Sequence, residues 1–184
     1  MLKITIPGVE QYDPEKNLFY KTKETSLTLE HSLVSLSKWE SKWKIPFLNN
    51  KNMTPEQLLD YVRCMTLTQN VDPLVYNALT KENLQDIVSY LEDPMSATTI
   101  NEHNMKMAGP PGKSKIITSE VIYYWMSALH IPFECQKWHL NRLMMLIRVA
   151  AIEQQPPKKM SKAEAIRQQR SLNAARRAKH HSRG

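Results

Sequence analysis

The 184 residues give room for one domain of ordinary size plus a tail, and no apolar run reaches the ~18–20 residues that a membrane span needs. Four glycines argue against a glycine-rich phosphate-loop enzyme or a sheet-rich fold, and the cysteines, Cys64 and Cys135, stand too far apart in sequence to suggest a disulfide framework, so they read as buried free thiols. The net charge of +7 sits in one place: from Pro157 to Gly184 nine Lys or Arg face a single acid, Glu164, leaving 16 basic and 17 acidic residues in the rest.

Taken in order, Leu2 to Ile6 (LKITI) alternates with β-branched residues and predicts a short strand ended by Pro7-Gly8. Asp13-Pro14 predicts a turn and Asn17 to Lys23 a partner strand, giving a small hairpin or three-stranded piece. The N-terminus lacks the layout of a signal peptide. Leu29, Leu33, Leu36, Glu40 and Trp43 then recur at helical spacing, with Thr28 as cap, Lys38, Ser41 and Lys42 on the polar side, and a stop near Ile45-Pro46. Thr54-Pro55-Glu56-Gln57 joins a capping box to a proline at the first helical position, followed by Leu58, Tyr61, Val62 and Met65 on one face. Asp72-Pro73 opens a short helix through Leu79. Thr80 starts another with Leu84, Ile87, Val88 and Leu91 apolar, closed by Asp93-Pro94.

From Glu92 to Lys115 periodicity is lost, which predicts a mobile surface loop that orders on a partner. Ile116 to Ala151 then carries the densest apolar sequence. Ser119 is the expected N-cap, and Val121, Tyr124, Trp125, Ala128 and Leu129 the buried face. Pro132 breaks the helix, and beyond it Leu140, Leu143, Met144, Ile147 and Ala151 form a second stripe, with Trp138 widening it. This helix–turn–helix hairpin is expected to be the core. Gln154-Gln155-Pro156-Pro157 makes a stiff spacer, and Ser161-Lys162-Ala163-Glu164 caps a helix whose sizeable apolar anchors are Ile166 and Leu172. The fold class is therefore mainly α: a compact multi-helix domain over 1–155 with a small N-terminal β element, and a projecting basic C-terminal helix over 156–184.

Catalytic and ligand patterns are weak throughout. Ala108-Gly109-Pro110-Pro111-Gly112-Lys113-Ser114 resembles a phosphate loop, but Met107 stands where its first glycine belongs and no strand leads in. His130, Cys135 and His139 lack the paired spacing of a structural zinc site, so a buried thiol and hydrogen-bonded histidines are the plainer account. Neither cysteine has a nucleophile motif. Glu30, Glu40, Glu56 and Glu82 sit where solvated helix faces and first turns want acids. The expectation is a non-enzymatic protein with no catalytic residue, metal or cofactor. The basic tail alone has a specific consequence: Lys158, Lys159, Lys162, Arg167, Arg170, Arg176, Arg177, Lys179 and Arg183 attract polyanions in a salt-dependent way, and no aromatic among them stacks on bases. A solvated arm, an arm docking an acidic protein and a nonspecific nucleic-acid contact rank in that order.

Three phrases carry a family likeness: Leu29-Glu30-His31-Ser32-Leu33 running into Ser37-Lys38-Trp39-Glu40-Ser41-Lys42-Trp43; Ile131-Pro132-Phe133-Glu134 with Lys137-Trp138-His139-Leu140-Asn141-Arg142-Leu143; and Pro157-Lys158-Lys159-Met160-Ser161. Together they resemble tail assembly chaperones of tailed bacteriophages. The resemblance implies a mainly helical protein made in the infected host's cytoplasm that binds the tape-measure protein; other tail or virion proteins as partners, a homo-oligomer and a place in the virion stay open. The resemblance implies no residue map. Two alternatives stay open: a minor structural virion or head–tail connector protein, and an accessory factor that contacts DNA through its basic tail.

Overall fold

The computed structural model describes residues 1–13, 17–50, 52–99, 116–154 and 162–180. They form a mainly α fold with a small N-terminal β element. Two compact units divide the chain, Met1–Ala151 and Ile152–Gly184.

The first unit opens with β1 (Leu2–Ile6), β2 (Glu10–Asp13), β3 (Leu18–Lys21) and β4 (Thr25–Leu29). The expected partner strand is real but pairs elsewhere: β1 pairs with β4 and β2 with β3, both antiparallel. One register serves both pairs. Stepping forward on one arm and back on the other leads from Leu2–Leu29 to Glu10–Lys21 and Asp13–Leu18 without a slip, and Val9 and Thr22 hold the join through a backbone bond of 2.9 Å. The four strands are thus one long β-ribbon. It is interrupted where Pro7 offers no N–H and where the Gly8 backbone passes so close to its neighbours that a Cβ would lie 2.8 Å from the Thr22 carbonyl. The proximal half turns Ile4, Ile6, Leu27 and Leu29 into the core.

Helix α1 (Leu33–Trp43) begins one turn later than the sequence suggested, and Thr28 and Leu29 belong to β4. Leu29 lies four residues before Leu33, so it fits a helical stripe and the Leu27–Leu29 strand alternation equally well; β pairing decides. The real cap is Ser32, which shares a capping box with Ser35. Lys44, at φ 59°, closes α1 close to the expected stop.

The expected Thr54–Gln57 box starts α2 (Pro55–Met65), Asp72 caps a 3₁₀ turn (Pro73–Ala78), and Thr80 with Asn83 caps α3 (Lys81–Glu92). Val88 is on the outside of α3, not in its buried face.

In α4 (Ser119–Ala128) the cap position falls to Thr118, whose side chain makes no capping bond. Ser119 instead donates its backbone N–H to the Glu40 carboxylate of α1 at 2.7 Å. The buried face is Ser119, Ile122 and Met126, while Tyr124 is 70% exposed and Trp125 half-buried. Because α4 is apolar on most sides, its pattern could not select the inward one. His130, at φ 54°, and Pro132 break the helix, and a 3₁₀ turn (Phe133–Lys137) leads to α5 (Leu140–Glu153), where Leu140, Leu143 and Ile147 are buried as expected. Trp138 is exposed under the Arg142 guanidinium, 4.5 Å away.

The hairpin around Pro132 is therefore not the whole core. Two apolar clusters share the unit. The first joins the proximal ribbon, Trp39, and residues of α2 and α3; the second joins Leu33 and Leu36 of α1 to α4, the Phe133–Lys137 turn and α5. Helix α1 serves both. Trp39, fully buried, also donates its indole N–H to the Gln57 carbonyl at 2.9 Å.

In the second unit, α6 spans Lys162–His180, the helix expected from the capping pattern; Ser161 lies outside the described residues.

Candidate functional site

Helix α6 carries most of the expected contact residues. Its high Ala, Arg and Gln content favours helix without needing a packed face. Nineteen residues make a rod about 28 Å long. Lys162 opens it. Arg167, Arg170, Arg176, Arg177 and Lys179 are all exposed, and so are Ile166 and Leu172, at 53% each. At ~100° per residue, Arg167, Arg170 and Arg177 fall within an arc of about 80°, beside Ile166. Arg176 and Lys179 point to the other side. Lys158, Lys159 and Arg183 lie outside the described residues, as do 100–115, which hold the phosphate-loop-like stretch and most of the expected mobile loop.

The body holds a second concentration of chemistry, which the sequence did not suggest: a buried polar chain linking β4, α2, α3 and α5. Glu30 and Glu40, expected on solvated faces, are both buried. Glu30 accepts a hydrogen bond from the Tyr90 hydroxyl at 2.8 Å and pairs with the Met1 ammonium at 3.1 Å. Glu40 spans two backbone donors, Phe47 N–H at 2.9 Å and Ser119 N–H at 2.7 Å, so it caps α4 from another helix. Glu56 and Glu82 are exposed in first turns, as expected. Glu120 is held below the usual carboxylate range by its own backbone N–H and then by the Thr118 and Ser119 hydroxyls.

His31 and His139 face each other edge to face, ring centroids 5.1 Å apart. His139 Nε2 lies 3.0 Å from the Tyr90 carbonyl, which can only accept, and Nδ1 accepts from the Asn141 N–H at 3.3 Å. The ring is thus satisfied as the neutral Nε2–H form. His31 Nδ1 lies 2.5 Å from the Tyr61 hydroxyl. Burial, then the nearby His139, takes the His31 pKa down to about 3, and burial also lowers that of His139. Burial pushes both the Tyr61 and Tyr90 hydroxyls well above the usual phenol range, so each remains a donor. On the other side of α2, burial pushes Asp60 up, but the Lys42 ammonium and the Trp43 indole N–H outweigh it and leave its carboxyl low.

His130, Cys135 and His139 are not brought together. His130 is exposed, Cys135 is buried in the second cluster, and His139 is committed to the bonds above. No group of three or more His, Cys, Asp or Glu suited to a metal occurs among the described residues. Both cysteines are free thiols, Cys64 half-buried with its thiol pushed up by burial.

Every buried side-chain nitrogen or oxygen among the described residues has a hydrogen-bond partner. A shallow, open strip runs along α3, lined by Lys81, Leu84, Gln85, Asp86, Val88 and Ser89. The polar chain therefore locks elements together, while exposed apolar side chains stand on α6, at Tyr124 and Phe133, and on the distal ribbon, where Phe19 and Leu18 are 72% and 63% exposed. No described helix is long and apolar enough to cross a membrane. No family model, curated protein or solved structure matches the chain.

Proposed function

We propose that this chain is a non-enzymatic assembly factor of a tailed bacteriophage, a tail assembly chaperone that holds the tape-measure protein through protein–protein contact. One observation carries the contact reading: α6 leaves Arg167, Arg170, Arg176, Arg177, Lys179, Ile166 and Leu172 all exposed. A cationic rod with two apolar side chains suits an acidic, partly apolar helical partner. The lack of any aromatic in α6 weighs against stacking on nucleic acid bases. The choice of tape-measure protein as partner rests on the three resembling phrases. In the body, Glu30, Glu40, His31 and His139 are taken up by internal bonds, which fits a scaffold that presents a contact surface.

The test is co-expression with the tape-measure protein of the same phage. The full chain is expected to keep that protein in the soluble fraction, and their association is expected to weaken as salt rises. Reversing Arg167, Arg170 and Arg177 to Glu is expected to weaken capture by about tenfold or more. A tape-measure protein equally soluble without this chain overturns the reading. Stoichiometric recovery of the chain from purified particles favours the structural virion alternative, and equal loss of duplex binding in the triple variant favours the DNA-contact alternative.

A further inference from the structure

The negative charge of the body is concentrated on α3. Residues 81–93 hold four acids, Glu82, Asp86, Glu92 and Asp93, against Lys81, while the rest of 1–156 carries 15 basic and 13 acidic residues. All four acids are exposed, and no ion pair among the described residues involves them. Helix α3 also has no basic residue in its last turn, so the negative end of its dipole is unrelieved. The same outer side carries the shallow strip, where Leu84 is half-buried and Val88 is 42% exposed. Such a face suits a cationic helix with a small apolar contact. Helix α6 is one: it sets six Lys or Arg against a single acid, and its Leu172 is 53% exposed.

The spacings of the two helices correspond. Glu82, Asp86 and the cap Asp93 stand at about 0, 6 and 16 Å along α3, within an arc of about 40°. Arg167, Arg170 and Arg177 stand at about 0, 4 and 15 Å along α6, within an arc of about 80°. Laid side by side in the same direction, each arginine is level with an acid to within ~2 Å, and Leu172 is level with Val88. Direction follows from handedness. Val88 and Leu172 are turned in opposite senses from their charged rows, and opposite senses meet only where two facing helices run the same way. Run antiparallel, the two apolar residues fall on opposite sides of the contact. We propose that α6 of a second copy of this chain docks along the outer face of α3, with Arg167, Arg170 and Arg177 against Glu82, Asp86 and Asp93 and with Leu172 on Val88. Exchange of α6 between two copies makes the contact twice and closes at a dimer. The docked arginines are those proposed above to hold the tape-measure protein, so that partner and the second copy compete for α6. The dimer needs no other partner, and its test stands apart from that reading.

Sedimentation of the full chain alone, over a range of concentrations in low salt, is expected to show a dimer whose dissociation constant rises with salt. Glu82→Lys with Asp86→Lys, and separately Arg167→Glu with Arg170→Glu, are each expected to raise that constant by about tenfold or more. All four changes together exchange the signs across the contact and are expected to bring it back to within about threefold of the parent. The four side chains are exposed, and circular dichroism of each variant checks that the body remains folded. A chain that is monomeric at every concentration overturns the proposal, including one whose α6 lies on its own α3. So does a dimer that either reversal leaves unchanged, or one that the combined reversal leaves as weak as the separate ones.

Discussion

Residue by residue, the least expected assignments are buried ionisable groups whose partners lie far away in sequence. His31 is held as a neutral base, its pKa lowered from 6.5 to about 3 by burial and by His139. In the unfolded chain the same imidazole takes up a proton below about 6.5. Its contribution is therefore complete above that pH and is lost as pH falls from 6.5 toward 3, and His139, shifted the same way, adds to the loss. Denaturant midpoints measured from pH 7.5 down to 4.5 are expected to fall steadily once below 6.5, by on the order of 1.4 kcal/mol of stability per pH unit from His31 alone. Glu40 gives a second expected outcome. Glu40→Gln exchanges one acceptor oxygen for an NH2, which must face either the Phe47 or the Ser119 N–H, and urea unfolding is expected to report a loss of about 1–3 kcal/mol. Neither role was legible in the sequence. A glutamate at a helical spacing looks the same whether it faces water or caps a helix 79 residues later, because that cap exists only after both helices have docked.

At the scale of elements, legibility followed how local the determining physics is. Caps at Thr54, Asp72 and Thr80 bond to backbone two or three residues away, and all were readable from spacing alone. The strand Thr25–Leu29 was not, because its alternation competes with a leucine at helical distance from Leu33 and only pairing with Leu2–Ile6 resolves it. Nor was the inward side of α4, whose apolar residues surround the helix and leave selection to the shape of its neighbours. The ribbon's interruption was half visible: Pro7-Gly8 predicted an end, but the strand resumes two residues later in the same register. Gly8 is the tight point, with a Cβ there 2.8 Å from the Thr22 carbonyl and 3.0 Å from the Glu24 N–H group. Both obstacles are backbone and cannot swing aside. Gly8→Ala is expected to lower the thermal midpoint by several degrees, about 1–2 kcal/mol.

For the whole molecule, charge and burial are separated along the chain. The body of residues 1–151 commits Glu30, Glu40, His31 and His139 to internal bonds and pairs Lys42 with the buried Asp60, and the basic excess is carried by α6 and its flanks. That division was legible from charge counting, because net charge needs no fold to be located. The existence of two cores was not. The densest apolar stretch of the sequence supplies one of them, and the other is assembled from short, scattered contributions of the ribbon, α2 and α3 that no single window displays. Helix α1 is the party wall between them: Leu33 and Leu36 belong to one room and Trp39 to the other, with Phe47 leaning on both. Damage on either side of such a wall is felt on both, so the two halves of the body are bound to stand or melt together.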